Sequence, residues 1–243
     1  MPTLNLAGAV RLLVLVAVFL AGVWSQSSGM IDDFIFYLPD IQYLIVQHLW
    51  LTAMSGGLAI LVAIPLGILL SRPSMARVAE SMMQLLNVGT TIPTLAVLAL
   101  SMSFLGIGTV PAVFGLFVAT LLPIARNTYT GLKGVNPALK EAAAGIGMSP
   151  TQRLLRVELP NALYVIFAGI RTALAINIGT VPLAFLIGAG GLGELIFTGI
   201  ALYDTVMMLA GAIPTALLAI AVDTLIAITA FLVVPRGVNP SRA

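Results

Sequence analysis

The amino-acid sequence predicts an all-α, polytopic membrane protein, and three observations carry that prediction. Of its 243 residues, 60% are hydrophobic and only 8% charged, with a mean hydropathy of +1.10; a soluble globular chain carries roughly 25% charged residues. The apolar residues gather into six blocks, near 9–24, 45–70, 83–105, 109–126, 161–187 and 206–234, and a spanning helix needs about 20 such residues. One interior stretch, residues 137–160, is strongly polar by contrast. Because lipid leaves backbone groups no partners outside helices or closed barrels, each block is read as a helix.

The first block follows Arg11 and ends in small residues, Ala21 and Gly22, so it also has the outline of a cleavable signal segment. The small-x-small pattern is poor around Trp24, and the block is read as a retained span. It opens a segment covering residues 1–44, a transmembrane helix followed by a periplasmic stretch. Residues 45–234 are then the main bundle and 235–243 a cytoplasmic tail. Several blocks contain Pro65, Pro93, Pro123, Pro182 or Pro214, and block two a Gly56-Gly57 pair; membrane helices tolerate such residues because neighbours satisfy the freed backbone groups.

Basic residues orient the bundle. With the N-terminus inside, Arg11, Arg72, Arg77, Arg126, Lys133, Lys140, Arg153, Arg156, Arg236 and Arg242 fall on the cytoplasmic side or its edge, obeying the positive-inside rule. Asp32, Asp33, Asp40, Glu194 and Asp204 fall outside. Both termini and residues 127–160 are thereby expected in the cytoplasm. The pI of 9.2 reflects this topology and needs no nucleic acid. There is no cysteine and a single histidine, His48, so no disulfide framework, thiolate site or histidine cluster for a metal is available.

The polar stretch 137–160 builds from local rules. Asn136-Pro137 is an N-cap followed by proline at the first helical position. The short helix it starts should run to about Ile146, with Gly147 as a left-handed stop. Ser149-Pro150-Thr151-Gln152 repeats the start as a capping box, so two short helices should meet at an angle. The first carries Glu141 among small residues, leaving its backbone approachable. The second carries Arg153 and Arg156, suited to carboxylates or lipid phosphates.

Within it, Glu141-Ala142-Ala143 is followed by Gly147 and, after nine more residues, by Val157-x-Leu159-Pro160. This resembles the EAA loop of permease subunits of bacterial ABC importers, E-A-A-x-x-x-G-x9-I-x-L-P, with valine in place of isoleucine. The resemblance implies a type I importer permease fold whose loop couples to an ATPase through Glu141, Ala142, Ala143, Gly147, Arg153, Arg156, Leu159 and Pro160. No G-x-x-x-x-G-K-[ST] run occurs in the chain, so ATP belongs to a separate subunit and this chain binds no cofactor and is no enzyme. The implied partners are an ATPase dimer, a second permease, the same or different, a substrate-binding protein that is periplasmic or lipid-anchored, and the lipid itself. The implied location is the bacterial inner membrane.

Residues 91–134, 168–179 (AGIRTALAINIG) and 187–204 (IGAGGLGELIFTGIALYD) resemble permeases of the osmoprotectant importer family, which take up glycine betaine, carnitine, choline and related quaternary ammonium compounds. Methionine importer permeases carry a run similar to IGAGGLG, which leaves a methionine or other amino-acid importer as the alternative. Different classes, an ATP-independent channel or carrier and an intramembrane protease, are opposed by the loop and by the missing G-x-G-D context at Asp223.

Polar residues inside spans should face the bundle interior. Asn87, Thr90 and Thr91, beside Ile92-Pro93 where the backbone should break, and Asn177 and Thr180 are the candidates for lining a substrate path. No aromatic ring lies near Asn87 to form a cation cage, which fits capture by a separate binding protein. Arg171 lies 11 residues after Pro160 and Asp223 13 before Arg236, each roughly 16 to 20 Å from the cytoplasmic boundary at about 1.5 Å per residue. Equal depth permits an ion pair between blocks five and six. Outside, the Gly188–Gly193 run is expected to form an irregular turn that helps the outer acids receive a binding protein.

Overall fold

The computed structural model describes residues 29–238 together with positions 15, 16, 19, 22, 26 and 27. Of the first block, 9–24, only positions 15, 16, 19 and 22 are described, and Arg11 and Arg242 lie outside the described residues. From residue 30 onward the described chain is a succession of helices joined by short turns. A short α1 (Met30–Phe36) leads into α2 (Leu38–Leu70), so the boundary expected at residue 44 falls inside a helix. Pro39 near its start and Asp40 in its first turn suit the N-terminus of α2. At its far end Ser71 turns its hydroxyl back to the Ile68 carbonyl at 2.7 Å.

The block expected as one span at 83–105 is two helices, α3 (Ala76–Gly89) and α4 (Thr94–Leu105). They are bent by 101° at the residues between. The reason is local: Pro93 lacks the N–H a continuing helix needs and restricts Ile92 before it. Thr90 and Thr91 turn their hydroxyls back to the carbonyls of Asn87 and Val88, both at 2.7 Å. Hydropathy registers the apolar run and is blind to its change of direction.

After a turn at Gly106–Gly108 comes α5 (Thr109–Lys133), then the hairpin helices α6 (Pro137–Gly145) and α7 (Pro150–Arg153). A π-turn, Leu154–Glu158, carries α7 directly into α8 (Leu159–Thr180), and a 3-10 segment, Val181–Ile187, completes a 38-residue run. The hairpin's second arm and the fifth block are thus one rod. The segment after this rod is a turn followed by a helix, α9 (Gly193–Leu202), before α10 (Thr205–Val233). Gly188, Gly190 and Gly191 all take positive φ there (81°, 77° and 84°), a region closed to most side chains. Among the described residues four helices are long and apolar enough to cross a membrane, or five with the bent pair counted as one.

The core is where α2, α5 and α8 meet, around Ala59, Ala63, Ile124, Ala125, Ile166 and Ala173. In lipid, helices associate by close packing and interhelical hydrogen bonds, which favours small residues at the contact. At Gly67 an added Cβ would stand 2.6 Å from the Thr128 Cβ, so α2 and α5 touch backbone to side chain there. A second cluster, with Leu51, Leu98, Leu116 and Val181, packs the half of the bundle away from residues 137–160. Of its 29 residues α10 buries only Ala210, Gly211, Pro214, Thr215 and Ile226 within this chain, which leaves most of that helix at the periphery.

Candidate functional site

The polar hairpin owes its shape to three caps. Asn136 Oδ1 accepts from the Ala138 N–H at 2.9 Å and starts α6. The helix ends with Gly147 N–H donating to Ala144 O (3.0 Å) and Met148 N–H to Ala143 O (3.1 Å), while Gly147 takes φ 84°. That is a Schellman arrangement, which only a glycine enters without strain. Ser149 and Gln152 close the capping box reciprocally: Gln152 N–H donates to Ser149 Oγ (3.3 Å) and Ser149 N–H to Gln152 Oε1 (2.9 Å). Each such cap contributes about 1 kcal/mol, so the hairpin is rigid before anything binds it.

Of the residues expected to couple, Glu141, Ala142 and Gly147 are exposed, Ala143 is buried, Arg156 is exposed, and Leu159 and Pro160 are half-buried where the rod enters the core. Three large apolar side chains that sequence reading missed, Leu139, Ile146 and Leu155, are also exposed on the hairpin, Ile146 at 76%. Their signal was present, since apolar residues in a polar stretch outside the apolar blocks have no lipid to face.

The hairpin is tied to the bundle at two points. Lys140 Nζ donates to the Leu132 carbonyl at the end of α5, 2.9 Å away. More substantial is Glu158, in the π-turn and 3% exposed. Its Oε2 receives Arg72 Nη2 at 2.6 Å and its Oε1 receives Arg153 Nε at 3.1 Å. Arg72 also donates from Nε to the Ile68 carbonyl at 3.2 Å, so one buried carboxylate joins the end of α2, the hairpin's second arm and the start of α8. Glu158 occupies the variable position between Val157 and Leu159, and sequence reasoning misses it because nothing local marks a contact 86 residues away.

Inside the membrane the path candidates separate. Asn177, expected to line a path, is 1% exposed and sits in the core. Its Nδ2 donates to Ser55 Oγ (3.0 Å) and to Thr120 Oγ1, knotting α8 to α2 and α5. A buried amide so satisfied serves packing. His48, also fully buried, donates from Nε2 to the Ile178 carbonyl at 3.1 Å. Thr180 turns its hydroxyl back to Ile176 O (3.0 Å). Asn87, Thr90 and Thr91 lie at the bend, all three exposed, and Thr90 lines a cavity of about 350 Å³ with Leu86, Ile92, Pro123 and Ile176.

Arg171 and Asp223 meet across α8 and α10 in a bidentate pair, Nε to Oδ1 at 2.9 Å and Nη2 to Oδ2 at 2.7 Å. Their side chains remain 43% and 37% exposed. Both line a second cavity of about 420 Å³, with Ala168, Thr172, Ala175 and Ile176. Ile176 borders both cavities, so they adjoin along one face.

At the end of the bundle away from the hairpin Gln47 Oε1 accepts from Gly191 N–H at 3.0 Å, holding the glycine turn to α2. Asp204 caps α10 by accepting from Met207 N–H (2.9 Å) and accepts from the Tyr37 hydroxyl (2.9 Å). The backbone bond first, and the Tyr37 bond second, hold the Asp204 carboxyl below the usual carboxylate range. The same carboxylate raises the Tyr37 phenol.

The pattern of the family described as binding-protein-dependent transport system inner membrane component matches residues 63–236. The osmoprotectant import permease protein OsmY of Salmonella typhimurium is 52% identical over 216 residues, 89% of each chain. The glycine betaine/carnitine/choline transport system permease protein OpuCB of Bacillus subtilis is 43% identical over 200 residues, 82% of this chain and 91% of its own length. Among solved structures, an inward-facing MetNI methionine ABC transporter aligns with a TM-score of 0.69 at 24% identity, covering 84% of this chain and 98% of its own; this likeness shows the fold, that of type I importer permeases. With its spans, its hairpin and a match to most of its length, the chain belongs to the inner membrane components of binding-protein-dependent transport systems, the permease subunits of ABC importers.

Proposed function

We propose that this permease forms the pore through which an ATP-driven importer takes up quaternary ammonium osmoprotectants of the glycine betaine, choline and carnitine class. The observation that carries the coupling half of this reading is the triply capped hairpin, which holds Ile146 and Leu155 exposed outside the membrane blocks. Exposed apolar side chains rimmed by charge are what a protein partner buries, and an ATPase subunit is the partner a permease requires. Closure of two ATPases moves two hairpins, and the rod from Pro150 to Ile187 carries that motion into the membrane. The substrate class rests on the names of the relatives at 52% and 43% identity; the methionine transporter resembles the chain in fold at 24%.

The path runs along the face that holds the two adjoining cavities, closed by a second permease. Polar groups at mid-membrane must be covered by protein or water, and this face alone exposes an ion pair among the described residues. Glu141, Ala142, Ala143, Gly147, Arg153 and Arg156 make the contact with the ATPase, and both termini lie in the cytoplasm. The test is uptake of labelled glycine betaine, choline, carnitine and methionine by cells with and without this subunit, together with copurification of the ATPase. Loss of quaternary ammonium uptake alone supports the reading; loss of methionine uptake alone overturns the substrate class. An ATPase that still copurifies after deletion of residues 141–147 overturns the coupling site.

A further inference from the structure

The Arg171–Asp223 pair presents more than a bridge between two helices. A pair whose purpose is to hold α8 to α10 is best sealed, because water competes for every donor it reaches; here both side chains are more than a third exposed and open onto about 420 Å³ of space. The guanidinium spends only one edge on Asp223, through Nε and Nη2. Arginine has five donors in a planar fork, and the Nη1 side takes part in neither bond. Asp223 likewise keeps lone pairs, since a carboxylate has about four acceptor directions.

The chemistry of the cavity selects its occupant. The site is neutral overall, with a positive and a negative centre a few ångströms apart, so a net ion gains little from it and a dipole gains from both ends. Its remaining walls are Ala168, Ala175 and Ile176, with one hydroxyl, Thr172. Small apolar walls beside a carboxylate suit a methylated ammonium, which has no N–H to donate and is held by charge and contact. A carboxylate on the same molecule takes the free edge of the guanidinium in charge-assisted hydrogen bonds. A lipid headgroup of similar charge is kept away by depth, since the pair stands roughly 16 to 20 Å from the cytoplasmic boundary by helix rise, inside the hydrocarbon of a bilayer about 30 Å thick.

We infer that Arg171, Asp223 and Thr172 form a transit site within the membrane for a zwitterionic quaternary ammonium carboxylate, the carboxylate on Arg171 and the methylated cation against Asp223. The assignment rests on the substrate class proposed above, and it separates members of that class: glycine betaine carries a carboxylate, whereas choline carries an alcohol in its place.

The experiment uses the complete importer, with its ATPase and binding protein, in membrane vesicles. Arg171→Gln with Asp223→Asn keeps a hydrogen-bonded bridge between α8 and α10 and removes both charges. Uptake of glycine betaine and of choline is read per assembled complex, with ATPase copurification as the measure of assembly. At least a tenfold loss of glycine betaine uptake is expected, with a smaller loss for choline, which gives up the Asp223 contact and has no carboxylate contact to lose. Unchanged glycine betaine uptake, or an equal loss of both solutes, overturns the site. Should the neutral pair fail to assemble, Arg171→Lys keeps the charge and removes the fork, and undiminished glycine betaine uptake by it overturns the site equally. An unaltered importer that carries neither solute refutes the substrate class instead, a separate result.

Discussion

Two clusters of charge in this chain use the same chemistry to opposite ends. At the base of the hairpin Glu158 is 3% exposed and receives two arginines, so its carboxylate is enclosed. In the membrane Arg171 and Asp223 satisfy each other in a bidentate pair and stay 43% and 37% exposed. An enclosed charge is strongly bound to its partners because nothing else can solvate it, and removing one partner leaves the others stranded. An open pair is solvated by whatever occupies the space beside it, so its partners are cheaper to remove and free to meet a third group. The first arrangement suits a joint that must transmit force; the second suits a surface that a solute passes.

The comparison is broken or sharpened first at Glu158. Glu158→Ala leaves Arg72 and Arg153 without their shared carboxylate and should lower stability by roughly 3 kcal/mol, the lower end of the range for a buried pair since both arginines reach solvent; thermal unfolding in detergent measures it. Asn177→Ala removes bonds to Ser55 and Thr120 in the sealed core and should cost roughly 2 kcal/mol in the same assay. For the open pair, a double-mutant cycle of Arg171→Ala and Asp223→Ala should give a coupling of about 1 kcal/mol, as for exposed pairs. A coupling as large as that of the Glu158 joint would mean that the pair is sealed in the assembled importer, and the contrast would vanish.

The smallest effect lies at the end away from the hairpin. Asp204 is held below its usual range chiefly by the Met207 N–H and then by Tyr37, so the stability it contributes is present above the ordinary carboxylate value of about 4. It is lost as pH falls through the lowered value. Tyr37 is raised, so its share is present below about 10 and lost as pH climbs through its raised value. Tyr37→Phe should flatten the acid limb of a melting-temperature profile slightly and leave the Asp204 cap.

Much of the architecture was legible because its causes are local. The Asn136 cap, the Gly147 stop and the Ser149–Gln152 box are each decided within six residues, and the hairpin follows from them. The Arg171–Asp223 contact was within reach because helix rise converts sequence distance into depth, and two charges at one depth in lipid have few other partners. Asn177 misled, because an amide in a span can face a path or another helix, and one strand of sequence does not say which. The break at Pro93 could be anticipated, but not its 101°, since proline ends a helix without choosing the direction of the next.

The sequence by itself determined the solvent, the order of the apolar blocks after residue 44, and the form of the polar hairpin, for these depend on composition and on neighbours a few residues apart. Tertiary structure alone decided that Glu158 reaches Arg72, that Asn177 faces Ser55 and Thr120, and that one ion pair is sealed while the other stays open. Those outcomes depend on how rods of fixed length rotate and cross, and a helix's rotation about its own axis is set by every surface it touches at once.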